Sequence, residues 1–354
     1  MNILFDRTRL EQILNKIKDL RIGVVGDFIL DGYWYADMEQ SQLSRETATF
    51  PRPITRETYS LGGAANVAWN LSALGVAGVC GFSVIGDDWR GNILRSLLVK
   101  ANVQTSGIFN QVNRQTPFYG KVMLTAVGRG LQEDARLDFI NDQPISPEME
   151  DALLDALNAS LEKMDGLIIA DYQPTGNLSA RVTAGILKLA KLQPKKPFVV
   201  DSRERAGDFH SLILKPNEAE AAQLFFPERN SEEITLLDLS NAAVHHNQNT
   251  GQPIIVTRGE QGCLVADGGE CVSLPAVHVP SPVDPVGAGD SFLASFTAAS
   301  ASGATPMEAA CLANLSAAVT VTKIGITGTA SPAEILAAYD VWASALNDKK
   351  NQLG

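Results

Sequence analysis

The sequence predicts an α/β protein, a doubly wound and mostly parallel sheet flanked by helices, with a small β-sheet lid. Three observations lead there. Short, nearly all-apolar runs recur along the chain, as strands covered on both faces require. Helical patterns separate them, which implies parallel pairing through crossovers. Two segments instead alternate polar and apolar residues, the mark of strands with one wet face.

Taken in order, Leu10, Ile13, Leu14, Ile17 and Leu20 recur at helical spacing, so the chain opens on an amphipathic helix. Residues 21–27 (RIGVVGD) read as a buried strand ending in Gly-Asp. Residues 32–60, with Trp34, Tyr35 and several threonines, alternate in polarity. Residues 62–75 (GGAANVAWNLSALG) read as a helix entered through glycines, and 79–85 as the next strand. Residues 116–140 alternate again; with 32–60 they form the expected antiparallel lid, the alternative being ordinary edge strands. Residues 165–171 (DGLIIAD) form a strand, followed by a helix over 179–192. Further strands are expected at 197–201, 211–215 and 253–257. Late helices cover 291–301 and 332 to about 346, the latter followed by a polar tail expected to fray. The reading is one domain over 1–354, with insertions at about 32–60 and 116–140.

Composition narrows the function. Over 354 residues, 45% apolar and 19% charged, the chain is ordinary globular material. A net charge of −11 argues against sequence-independent binding to nucleic acid, which needs many cations on phosphates. No stretch approaches ~18 consecutive apolar residues, and charges interrupt the N-terminal segment, so neither a membrane span nor a signal peptide is expected. Cys80, Cys263, Cys271 and Cys311 form no C-x-x-C pair, which points to a reducing cytoplasm. The four histidines match no metal-ligand spacing, and His245-His246 reads as a solvated helix end.

The most specific local pattern is D-P-V-G-A-G-D at 284–290, directly before a helix. Small residues let backbone N–H groups converge at a helix N-terminus, which favours an anion. Asp290 falls in the first turn. As a general base it would accept a proton from an attacking hydroxyl, while the amides of Gly287, Ala288 and Gly289 hold a transferring phosphoryl group. The alternative is an Asp cap after a glycine turn. The chain carries neither G-x-G-x-x-G nor G-x-x-x-x-G-K-[ST], which argues against a dinucleotide-dependent oxidoreductase and excludes a P-loop enzyme.

This segment resembles the C-terminal signature of the ribokinase-like (PfkB) family of sugar and nucleoside kinases, and GGAANVA at 62–68 resembles its N-terminal signature, in the family's order. Asn217-Glu218-Ala219-Glu220 resembles its N-x-x-E motif, which organises magnesium and the triphosphate. Thr257-Arg258-Gly259-Glu260-Gln261-Gly262 resembles its nucleotide-contacting turn, and Asn314 its adenine wall. The resemblance covers residues 20 to about 340 and implies ATP and Mg²⁺ as cofactors and a homodimer paired through its lids. Gly325-Ile326-Thr327-Gly328-Thr329 resembles a loop that in many members takes a monovalent cation, with Asp284, Gly325 and Thr329 as implied ligands of K⁺. Pro285 and Val286 replace the usual threonines, so only their carbonyls could serve.

Within the family, GDFILDGYWY at 26–35, Arg136-Leu137-Asp138-Phe139, Asp171-Tyr172 and Lys215-Pro216-Asn217 are similar to D-glycero-β-D-manno-heptose 7-phosphate kinases. That implies phosphoryl transfer to the anomeric hydroxyl of a phosphorylated heptose. The bifunctional members add a nucleotidyltransferase domain, which is not expected within these residues. Three segments depart from the pattern: QLSRETA at 42–48, DSR at 201–203 and DPV at 284–286. They leave open another sugar or nucleoside, such as fructose or ribose, or a silent sensor on the same scaffold.

Chemistry assigns the remaining candidates. Asp27 and Asp31 can each accept hydrogen bonds from vicinal sugar hydroxyls, or cap turns. Gly62, Gly63 and Asn66 let backbone and amide approach the sugar, or pack a helix start. Lys121, Arg136 and Arg203 are candidates for a substrate phosphate, or solvated charges, and Asp138 and Asp171 join the substrate set by resemblance. Trp34, Tyr35 and Phe118 cover the sugar as a lid closes, or form the lid's own small core or a dimer contact.

Overall fold

The computed structural model describes residues 6–126 and 129–353. Its strands are β1 (Arg21–Gly26), β2 (Phe28–Asp37), β3 (Ile54–Gly63), β4 (Gly78–Gly86), β5 (Val103–Gln111), β6 (Phe118–Ala126), β7 (Arg129–Phe139), β8 (Gly166–Asp171), β9 (Phe198–Ser202), β10 (Ile213–Leu214), β11 (Ile254–Thr257), β12 (Cys263–Asp267) and β13 (Glu270–Leu274). Its helices are α1 (Arg7–Ile17), α2 (Ala64–Ala73), α3 (Trp89–Lys100), α4 (Pro147–Leu161), α5 (Ala180–Leu192), α6 (Glu218–Phe225), α7 (Leu236–Thr250), α8 (Ala288–Ala301), α9 (Pro306–Thr320) and α10 (Pro332–Leu353).

The large sheet runs β13-β12-β11-β10-β9-β8-β1-β4-β5, parallel except at β11-β12-β13. Its strands are apolar on both sides because helices cover both faces. One core gathers α1, α2, α8, α9 and α10; the other gathers α4, α5 and α7. The chain builds outward from β1 through β4 and β5, then returns through β8 on β1's other side. That reversal opens a crevice beyond the carboxyl ends of β1 and β8, the place where such sheets bind ligands.

The two alternating segments pair as a second sheet, β3-β2-β6-β7. The outer pairs are antiparallel as expected, but β2 and β6 run parallel. The reason is connectivity: β4, α3 and β5 intervene between β3 and β6, so no hairpin joins the two halves. The expected helix at 62–75 starts at Ala64, because Gly62 and Gly63 still pair with β2. The C-terminal helix continues through Leu353, past the expected end near 346.

Candidate active site

A cavity of about 410 Å³ opens where the second sheet faces the carboxyl ends of the large one. Ile29, Asp31, Tyr33, Tyr119, Lys121 and Arg136 line it from the small sheet. Register explains the convergence. Side chains two apart on a strand share a face, Tyr33 pairs with Lys121 and Lys121 with Arg136, and the neighbouring row is Asp31, Tyr119 and Asp138. Tyr172, Asp201, Arg203, Lys215, Asn217 and Thr257 line it from the ends of β8, β9, β10 and β11, Glu220 from the first turn of α6, and Gly289 and Asp290 from the start of α8.

Asp290 sits in the first turn of α8, after Gly287 turns the chain in a left-handed conformation (φ 81°). Its Oδ2 accepts from Asn66 Nδ2 at 2.6 Å and its Oδ1 from the Tyr172 hydroxyl at 3.3 Å. Burial pushes its carboxyl up to about 6, and Asp201 adds to the push. Asp31 goes up to about 7, through burial and then through Asp290. Lys215 is buried and pairs with Asp201 at 3.1 Å. Burial opposes its charge, yet Asp201 and Glu220 hold the ammonium above its ordinary value.

Several sequence-predicted residues hold the site without facing it. Asp27 is fully buried and accepts from the backbone N–H groups of Tyr172 and Gln173 at 2.9 Å and Asn177 at 2.8 Å. It organises the loop after β8 and does not line the cavity, so the turn-capping alternative is correct. Asp171 is likewise internal: it pairs with Arg205 and accepts from Ser202 Oγ at 2.7 Å. Asn66 gives its amide to Asp290, not to the cavity. Gly62 supports Asp31, since a Cβ there would lie 2.5 Å from that carboxylate. Gly63 does line the cavity, and its φ of 53° and closeness to the Asp27 carbonyl admit no side chain. Asp138 is exposed and pairs with Arg136 at 2.7 Å.

The anion-hole expectation changes in one atom: the Ala288 amide donates to the Pro285 carbonyl at 3.1 Å and is not free for a ligand. Asn217 and Glu220 close a capping box at the start of α6, Glu220 Oε2 accepting from the Asn217 amide at 2.8 Å. Burial, then Asp201, raises the Glu220 carboxyl. That acceptor density beside Asp201 fits a magnesium ion held through water by Glu220 and Asn217. Thr257 lines the cavity, whereas Arg258, Gly259 and Gly262 form an adjoining tight turn outside its lining, closed by the Arg258 amide on the Gly262 carbonyl at 2.7 Å. Asn314 is buried and donates to the Pro275 carbonyl at 3.3 Å, which fixes the segment after β13.

The residues implied for potassium already carry partners within the protein. Both Asp284 oxygens accept backbone amides, from Val286 at 3.0 Å and Gly325 at 2.9 Å. The Thr329 carbonyl already accepts the Lys323 ammonium, which also pairs with Glu334 at 2.8 Å. Two of the aromatic residues expected to cover a sugar form the small sheet's own core: Phe118 is fully buried, 5.3 Å from Trp34 and 5.6 Å from Phe139 between ring centres. Tyr35 stacks under Arg56. Tyr33 and Tyr119 reach the cavity instead, and sequence reasoning missed both; Tyr172, Asp201 and Lys215, which stand in segments the resemblance marked but were given no role there, line it too. Their signal was position: the alternate residues of β2 and β6, and the ends of apolar strands. A wider groove of about 580 Å³, lined by Phe225, Phe226, His245 and His246, lies along α7; His246 is therefore half-buried mid-helix, not at a solvated end.

Comparison with known proteins agrees with this fold. The model of the pfkB family carbohydrate kinases matches residues 32–334. The bifunctional protein HldE of Pelobacter propionicus is 33% identical over 343 residues, 94% of this chain and 65% of that protein. This chain thus spans about two thirds of the length of that relative. Among solved structures, phosphofructokinase-2 of Escherichia coli in complex with potassium superposes with a TM-score of 0.69 at 20% identity, covering 92% of this chain and 99% of that one. Arabidopsis thaliana ribokinase complexed with ribose and ATP gives 0.67 at 18%, covering 90% and 98%. With both family signatures on one crevice and the family model spanning most of the chain, this protein belongs to the pfkB family of carbohydrate kinases.

Proposed function

We propose that this kinase transfers the γ-phosphoryl group of ATP to the anomeric hydroxyl of D-glycero-β-D-manno-heptose 7-phosphate, with Asp290 as the base. One observation carries the reading: Asp290 lies on the cavity at the N-terminus of α8, between a cation-bearing sheet and the Asn217–Glu220 corner. The sugar O–H bond breaks, its oxygen attacks the γ-phosphorus, ADP leaves, and the proton stays on Asp290. The start of α8 supplies positive potential to the transferring group. Magnesium, when bound through Glu220 and Asn217, neutralises triphosphate charge. Lys121, Arg136 and Arg203 then meet the sugar's phosphate at the cavity mouth. The heptose kinase assignment draws on the likeness to HldE.

The small sheet acts as a lid, and exposed Ile54 and Leu137 on its outer strands support homodimerisation through it. Sedimentation should then give twice the chain mass. No described helix is long and apolar enough to cross a membrane, and the free cysteines support a cytoplasmic site of action.

ADP release with heptose 7-phosphate, ATP and Mg²⁺ tests the reaction. Asp290→Asn should lower kcat by at least ~10³-fold while the protein stays folded. Turnover retained by that variant removes Asp290 from the base role. A second reading, an unphosphorylated sugar such as fructose or ribose, is favoured by the partners of two cations: Lys121 pairs with Glu133 at 3.7 Å and Arg136 with Asp138 at 2.7 Å. A substrate panel separates the two. With a phosphorylated sugar, Arg136→Ala should raise KM about tenfold, leaving unphosphorylated sugars unaffected.

A further inference from the structure

We propose that Tyr172 is the positioning residue for the base: its one hydroxyl hydrogen, shared between two carboxylates, keeps Asp290 ionised and oriented until the substrate's proton arrives. The inference rests on Asp290 being that base.

Tyr172 follows β8 at the crevice, buried, with its hydroxyl 3.3 Å from Asp290 Oδ1 and 3.2 Å from Asp201 Oδ2. A phenol has a single hydrogen, so it serves one carboxylate at a time. Lys215 Nζ lies 3.1 Å from the same Asp201 oxygen and gives it a charge-assisted donor. That leaves the phenol hydrogen to Asp290, whose other oxygen takes Asn66 at 2.6 Å. Ionised Asp290 therefore has one donor on each oxygen, which fixes the plane of the carboxylate. Once it accepts the sugar's proton its pull on the phenol falls, and the hydrogen turns to Asp201. The sugar O–H bond breaks and an O–H bond forms on Asp290. Tyr172 keeps its own hydrogen throughout, since burial and Asp201 hold its ionisation well above the ordinary value.

The charged groups facing Asp290 are Asp201 at the end of β9, Lys215 after β10 and Asp31 on β2. Tyr172→Phe leaves all three in place and subtracts one donor from the ionised form. The Asp290 carboxyl must then titrate higher.

The test needs no sugar. Ligand-free protein with ¹³C-labelled aspartate carboxyls is titrated by NMR, and the resonance missing in Asp290→Asn reports Asp290. In Tyr172→Phe that resonance should titrate about one pH unit higher, a roughly tenfold weaker acid. With heptose 7-phosphate, ATP and Mg²⁺, kcat/KM at pH 5.5 should fall close to ~10-fold while at pH 8.5 it stays within about threefold. An unmoved resonance, or a loss equal at every pH, overturns the proposal. If Tyr172→Phe does not fold, 3-fluorotyrosine placed at 172, a stronger donor, should lower the Asp290 titration; a rise or no change overturns it too. Activity surviving in Asp290→Asn would end the base reading by itself, and the resonance would still decide whether Tyr172 bonds Asp290.

Discussion

Three backbone amides on one buried carboxylate make Asp27 a structural anchor, and the cost of losing it follows. Asp27→Ala would leave the N–H groups of Tyr172, Gln173 and Asn177 buried without partners. We expect a loss of about 3–5 kcal/mol in urea unfolding. A loss within ~0.5 kcal/mol would mean the loop after β8 finds other acceptors. Asp31, four residues on, is the opposite case: it faces the cavity and its carboxyl is pushed up to about 7. Their separate fates lay beyond sequence reasoning, because both are aspartates near a strand end. The amides that claim Asp27 arrive about 145 residues later in the chain.

At the scale of elements, the small sheet depends on Phe118. Its ring sits among Trp34, Tyr59, Trp89 and Phe139 and joins β2, β3, β6 and β7 to α3. Phe118→Ala should cost about 3–5 kcal/mol in a two-state unfolding experiment. Amide exchange in β2 and β6 should rise more than in β8 and β9, and KM should rise more than kcat falls. Uniform exchange across both sheets would show that the small sheet does not open separately. The pattern of alternation located these strands in the sequence. It could not tell which of the two faces meets the cavity, because Trp34 on one face carries the same aromatic signal as Tyr33 on the other.

For the molecule as a whole, activity and stability should respond to acid in opposite directions. Burial raises Asp27 and Asp290 to about 6 and Asp31 to about 7. Below those values the folded chain binds protons that the unfolded chain, titrating near ~4, does not. Stability therefore rises as pH falls from neutrality toward about 5. Relief of self-repulsion on a chain of net charge −11 acts in the same sense. Glu308, held down to about 2 by Arg9, gives its contribution back only in stronger acid. Calorimetry should find Tm about 2–5 °C higher at pH 5.5 than at 7.5, while kcat/KM falls below pH 6 as Asp290 becomes protonated. A lower Tm at pH 5.5 would refute this balance.

Local chemistry was enough to determine the central strands β1, β4 and β8 to β11, the glycine-led start of α8, the Asn217–Glu220 corner and the family. Each is written in periodicity or in a contiguous motif. Only the tertiary structure decided which carboxylates face the cavity, that β2 and β6 pair in parallel, and that Tyr172, Asp201 and Lys215 stand beside Asp290. The reason is distance along the chain: those groups lie on separate strands, and only the winding of the sheet brings their ends to one crevice.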